Sequence, residues 1–164
     1  MENLKPALTS DVVVINISGE KAKVLLIKRK NEPYAGLWAI PGGFVEKDEA
    51  AEKAAERELY EETSLKCNDF KLIDIFSKKG RDPRGWVVTS AYLCIVKEEP
   101  FVKAGDDARE AEWFCLDKLP KLAFDHDEIL MKAFNMIKQL AKDALYRLSF
   151  FPSATEISDF EELI

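Results

Sequence analysis

Apolar positions along this chain gather in short β-branched runs and in two longer stretches at helical spacing. Residues 11–17 (DVVVINI) and 22–28 (AKVLLIK) are separated by the turn-forming Ser18-Gly19-Glu20. Two such runs joined by so short a link predict an antiparallel hairpin. Segment 31–43 (NEPYAGLWAIPGG) is dense in Pro, Gly and aromatics, which predicts a loop holding one short strand around Trp38 to Ile40. Runs at 70–77 (FKLIDIFS), 86–96 (WVVTSAYLCIV) and 110–116 (EAEWFCL) predict three more strands. The polar segments 78–85 (KKGRDPRG) and 104–109 (AGDDAR) become the loops between them.

The helical period appears twice. From Asp48, the expected N-cap, to Thr63 the chain is rich in Ala and Glu and free of Gly and Pro. Residues 125–147 place Ile129, Leu130, Ala133, Phe134, Ile137, Leu140, Ala141 and Leu145 at i, i+3, i+4 spacing, with Asp125 as the expected cap. The stripe of that second helix should close the core. The pattern is that of an α+β protein, with one domain over 1–147 and a C-terminal tail over 148–164. The apolar start and polar finish of the tail fit a segment that packs on the domain, binds a partner or forms a short helix.

With 164 residues and 47% hydrophobic content, the chain suffices for one domain with a real core, not two. A formal net charge of -6 disfavours nucleic acid as a partner, and an acidic protein needs a cation or local Arg and Lys to hold a small phosphorylated ligand. Cys67, Cys94 and Cys115 are odd in number, widely spaced and without CxxC or His partners, so they are read as free, mostly buried thiols. The N-terminus has no basic stretch followed by an apolar one, and no run approaches the roughly 18 apolar residues of a membrane span. The expected location is the cytoplasm, away from membranes.

The first helix carries the chemistry. Glu58, Glu61 and Glu62 stand at i, i+3 and i+4, on one helical face and within reach of one cation. At about 100° per residue, Glu58 and Glu62 continue the stripe of Ala51, Ala54 and Ala55, while Glu52, Lys53, Glu56 and Tyr60 face away. A Glu-rich helix ordinarily shows its charges to water. Here the acids share the inward face, where a carboxylate is costly unless paired or bound to metal, and hard oxygen ligands suit Mg²⁺ or Mn²⁺. The neighbouring Arg57 is placed to hold one of them through a forked pair.

Gly43, five residues, Glu49, seven residues, then Arg57-Glu58-Leu59-Tyr60-Glu61-Glu62-Thr63-Ser64-Leu65 resembles the Nudix box at every defining position except Ser64, where the family has Gly. Ser64 must then take the left-handed conformation at the helix end at a modest steric cost. The resemblance in order of elements spans residues 8–147. It implies a Nudix-type α/β/α sandwich with a mixed central sheet flanked by helices. It also implies Glu58, Glu61 and Glu62 as metal ligands, Arg57 as their orienting partner, and a metal within reach of the Gly43 carbonyl. A homodimer that completes the pocket is a further implication.

Carboxylate-held Mg²⁺ beside a diphosphate points to hydrolytic attack at phosphorus. Candidates for the base are Glu61 or Glu62, or the acids Asp106, Asp107 and Glu110, whose loop is otherwise a solvated turn. Segment 80–86 offers Arg81, Arg84 and Trp86 for phosphates and a stacked base, the alternative being a surface turn with a core Trp. It resembles a loop of the ADP-ribose pyrophosphatase branch, and Leu122-Ala123-Phe124-Asp125-His126 resembles a stretch in that branch and in Nudix-related regulators of NAD metabolism. The resemblance therefore implies a small nucleotide substrate, foremost ADP-ribose, cleaved to AMP and ribose 5-phosphate. Arg29 is a further phosphate contact or an exposed strand end. Tyr34 and Trp38 line the nucleoside pocket or the core. His126, the only histidine, is an exposed helix-start residue or stands at the edge of the site. Two other readings compete. One is an ADP-ribose-sensing regulator without its DNA-binding domain; the other is a Nudix hydrolase of oxidised nucleoside triphosphates or nucleotide sugars.

Overall fold

In a computed structural model, residues 5–105 and 108–142 are described. The elements are β1 (Ala7–Asn16), β2 (Lys23–Arg29), β3 (Trp38–Ala39), β4 (Gly42–Phe44), α1 (Ala51–Thr63), β5 (Lys71–Phe76), β6 (Val87–Val96), β7 (Ala108–Cys115) and α2 (His126–Lys142). The tail 148–164 and the last residues of the expected second helix lie outside the described residues, as do Asp106 and Asp107.

One mixed sheet organises the molecule, in the order β3-β2-β1-β6-β5, with β4 paired to β1 and β7 to β2. β1 and β2 meet antiparallel at Ile15↔Val24, as the hairpin reading requires. The longer partner of β1 is β6, parallel to it from Ala7↔Val87 to Asn16↔Val96. Because alternate residues of a strand face opposite ways, a stretch buried on both sides is apolar at consecutive positions, as Val12, Val13, Val14 and Ile15 of β1 are. Val12 and Val14 pack with Ala55 and Leu59 of α1. Val13 and Ile15 pack with Ile129, Leu130, Ala133, Phe134 and Ile137 of α2. The result is the expected α/β/α sandwich.

Several local expectations are corrected. Asp48 does not cap α1: it stands in the left-handed region (φ 64) and turns the chain, and Ala50 is the N-cap, with no side-chain cap bond. At the other end Ser64 does take the left-handed conformation (φ 60, ψ 9), and its N–H closes on the Tyr60 carbonyl. β4 falls inside the segment expected to hold only β3. Its glycines read as a loop, yet they are needed for a strand pressed this closely: a Cβ on Gly42 would stand 2.3 Å from Asp11 Oδ1 and 2.4 Å from the Ser10 carbonyl oxygen. Asp125 precedes α2 and its carbonyl accepts from Ile129, but its carboxylate is engaged by Arg81 instead of capping the helix.

The cysteine expectation is also overturned. Cys67 and Cys94 form a disulfide, and Cys115 alone is free and half-buried. Their separation of 27 residues conceals that Cys67 follows α1 while Cys94 lies on β6, in the cluster that α1 covers. Among the described residues no helix is long and apolar enough to cross a membrane.

Candidate active site

Arg57 organises the acids of α1. Its Nε and Nη2 donate to the two carboxylate oxygens of Glu49, both at 2.9 Å. Nη1 donates to Glu58 Oε1 at 2.7 Å and Glu61 Oε2 at 3.1 Å, and Nη2 also reaches the Phe44 carbonyl at 3.0 Å. The forked pair expected for an acid of the metal set is therefore made with Glu49, whose carboxyl the Arg57 hydrogen bonds hold down at about 2. Glu58 and Glu61 each receive a single bond.

The three box glutamates are not equivalent. Glu62 is buried and, among the described residues, accepts only the Gly42 N–H at 2.9 Å; burial pushes its carboxyl up to about 8, and Glu58 and Asp11 add to the shift. Glu58 is half-buried, and burial raises it against the pull of Arg57. Glu61, expected to face inward, is exposed, its side chain 56% accessible. At about 100° per residue it falls one step past the edge of the stripe that holds Glu58 and Glu62.

Among the described residues no three His, Cys, Asp or Glu side chains converge tightly enough to cage an ion, because Arg57 bridges Glu58 and Glu61. The donor set nevertheless suits a hard cation. Glu62 is a buried carboxylate without a cationic partner in hydrogen-bond contact, and Glu58 lies beside it. The Gly43 backbone is pressed on that second acid, since a Cβ there would stand 2.4 to 2.6 Å from the Glu58 carboxyl atoms. Behind the helix, the Lys103 and Gly105 N–H groups bond the Thr63 and Glu62 carbonyls at 3.0 Å and fix the end that carries the acids.

Glu58 and Glu62 line a cleft of about 340 Å³, within the range of small-molecule sites. Arg57, Glu58 and Glu62 share its lining with Arg29 and Arg84. Arg29, Gly42, Gly43, Phe44 and Arg84 also border a more enclosed inner cavity reaching Asp11, Arg81, Phe124 and His126.

The candidate substrate residues sort by their partners. Arg81 is buried and spends its fork on Asp125, at 2.9 and 2.7 Å, so it braces the site instead of presenting a free guanidinium. Arg84 pairs with the buried Asp82 at 2.6 Å, its guanidinium 4.8 Å from the Phe44 ring centre and 5.5 Å from that of Phe124. Arg29 bonds the Pro33 carbonyl at 2.8 Å and lies 4.8 Å over Phe124, and among the described residues no carboxylate pairs with it. Trp86 is half exposed and lines neither space. Trp38 belongs to the core, edge-on to Phe114 at 4.7 Å, whereas Tyr34 meets Phe124 edge-on at 4.9 Å. Glu110 is paired with Lys28 at 2.9 Å.

His126 is not an exposed helix-start residue. It is 5% accessible, its Nδ1 accepts the Ile40 N–H at 2.9 Å, and burial drives its pKa down to about 3. Asp11 was not anticipated. It is buried on the inner cavity, accepts from Thr89 Oγ1 at 2.7 Å, and is pushed by burial up to about 6. Its one sequence signal is an acid heading the VVV run of a strand that must be buried on both faces. Phe44 and Phe124 were likewise missed; Phe124 holds a left-handed φ of 55, as Tyr34 does at 66, a backbone state uncommon for bulky residues.

Comparison with known proteins agrees with this geometry. A family model described as NUDIX domain matches residues 7–133. An ADP-ribose pyrophosphatase of Methanocaldococcus jannaschii is 46% identical over 128 residues, covering 77% of this chain and 72% of the relative. The ADPR responsive transcriptional repressor NtrR of Acinetobacter baylyi is 30% identical over 97% of this chain, which spans 66% of the repressor. The NUDIX domain of Shewanella oneidensis NrtR, solved as a complex with ADP ribose, superposes with a TM-score of 0.77 at 30% identity, over 81% of this chain and 89% of that one.

Proposed function

The chain belongs to the NUDIX family of hydrolases, and from that premise we propose that it cleaves the diphosphate of ADP-ribose to AMP and ribose 5-phosphate with Mg²⁺, for which Mn²⁺ substitutes. The observation that carries the reading is the cleft itself, which Glu58 and Glu62 line together with Arg29 and Arg84. Support for the substrate comes from the pyrophosphatase relative and from the ADP-ribose-bound neighbour.

In this reading Glu58, Glu61, Glu62 and the Gly43 carbonyl hold the ion. When bound, Mg²⁺ supplies Lewis acidity toward the diphosphate oxygens and neutralises charge growing at phosphorus. Arg57 orients Glu58 and Glu61 through its Nη1 hydrogen bonds. Arg29 and Arg84 take phosphate oxygens. Water adds its oxygen to one phosphorus and gives up a proton to solvent, the bridging P–O bond breaks with its electron pair going to the bridging oxygen, and the second phosphate leaves, giving AMP and ribose 5-phosphate. The homodimer implied by the resemblance and the cytoplasmic location expected from the sequence belong to the same proposal.

A panel of ADP-ribose, nucleotide sugars, 8-oxo-dGTP and dinucleotides, compared by kcat/KM with Mg²⁺ and with EDTA, tests it. Metal-dependent preference for ADP-ribose is expected; preference for another member contradicts the substrate. A second reading, a sensor that binds ADP-ribose without turning it over, is favoured by the repressor's alignment across 97% of this chain. Tight ADP-ribose binding with no turnover of any panel member supports it.

A further inference from the structure

The Ile40 N–H points at His126 Nδ1, and a ring nitrogen that accepts a hydrogen bond cannot carry the proton. The neutral ring therefore holds its proton on Nε2. Protonation of Nδ1 would break the bond to Ile40 and charge a buried group beside Arg81 and Arg29. Among the described residues His126 donates no hydrogen bond, although the ring is buried and borders the inner cavity. A buried N–H without an acceptor calls for an explanation, and a ligand oxygen supplies one.

The charge lining the same cavity is largely balanced. Two of its three arginines are neutralised locally, Arg81 by Asp125 and Arg84 by Asp82. Asp11 adds a carboxyl group whose one protein hydrogen bond among the described residues comes from Thr89. A fixed neutral donor and a carboxyl group bordering one cavity recognise hydroxyl groups, which both donate and accept. We propose that the inner cavity is a subsite for an uncharged, hydroxyl-bearing sugar attached to the diphosphate, with the His126 Nε2–H as the donor that reads it. The inference rests on the hydrolytic reading for its diphosphate.

The test compares two substrates in the full chain: ADP-ribose, and the ADP methyl ester, which keeps the diphosphate and lacks the second sugar. In His126→Asn the amide oxygen replaces Nδ1 as acceptor for Ile40, and the Nε2 donor is lost. The ratio of kcat/KM for ADP-ribose to that for the methyl ester should fall at least tenfold, mainly through KM, while His126→Gln, which restores an N–H near Nε2, recovers part of it. An equal loss on both substrates, or an unchanged ratio, overturns the subsite. If wild-type protein turns over neither substrate, the hydrolytic reading fails, and the same ratio is read from dissociation constants by calorimetry, with the same tenfold criterion.

Discussion

A carboxylate as deeply placed as that of Glu62 is tolerable only when protonated or neutralised by a cation, and this residue is the sharpest link between sequence and function. Glu62→Gln keeps the acceptor for the Gly42 N–H and removes the charge. Metal-dependent turnover should fall by a hundredfold or more, with far-UV circular dichroism unchanged; activity within a few-fold of the parent would remove Glu62 from the metal set. Spacing made the box acids and Arg57 legible, but not their ranking. Glu61 sits one helical step past the buried stripe, and Arg57 spends its fork on Glu49, which spacing alone does not tell. His126 was equally opaque, since its burial depends on a contact with Ile40, 86 residues away.

His126 also sets a pH response. Its folded pKa, about 3, lies below the ordinary 6.5, so the folded state binds fewer protons between those values. The stability it contributes is complete above pH 6.5 and is lost as pH falls toward 3, at up to ~1.4 kcal/mol per pH unit for one proton. Asp82, Asp125, Arg29 and Arg81 surround it and shape the midpoint. Urea titrations of wild type and His126→Asn between pH 4 and 7 should show a shallower acid loss in the variant; parallel curves would mean that His126 titrates alike in the folded and unfolded states.

At the scale of elements, periodicity located β1, β2, β5, β6, β7 and both helices, because each buries a regular apolar face. β4 escaped because glycines required by close contact look the same in sequence as glycines in a loop. Gly43→Ala tests that distinction. Its Cβ would meet the Glu58 carboxyl group at 2.4 to 2.6 Å, the far end of a flexible side chain that can swing away. Turnover should drop at least tenfold while the melting temperature moves by only a few degrees. A variant as active as wild type would show that Glu58 needs no fixed place against β4.

For the molecule as a whole, the sandwich was readable because β1 is apolar on both faces and so demands a helix on each. The cysteine pairing was not, since it joins elements brought together only by the packing of α1 on the sheet. Unreduced, unfolded protein should show one thiol to Ellman's reagent, Cys115, where three would mean that no disulfide forms. By closing a loop with a 27-residue separation, the bridge should contribute about 3–4 kcal/mol, lost on reduction.

The cleft lined by Glu58, Glu62, Arg29 and Arg84 is proposed to hydrolyse ADP-ribose. Chromatography of the products formed by wild-type protein with ADP-ribose and Mg²⁺ tests it most directly. The account predicts AMP and ribose 5-phosphate in equal amounts, with both absent when EDTA is added. Intact ADP-ribose after prolonged incubation, with saturable binding of the same compound, would contradict it.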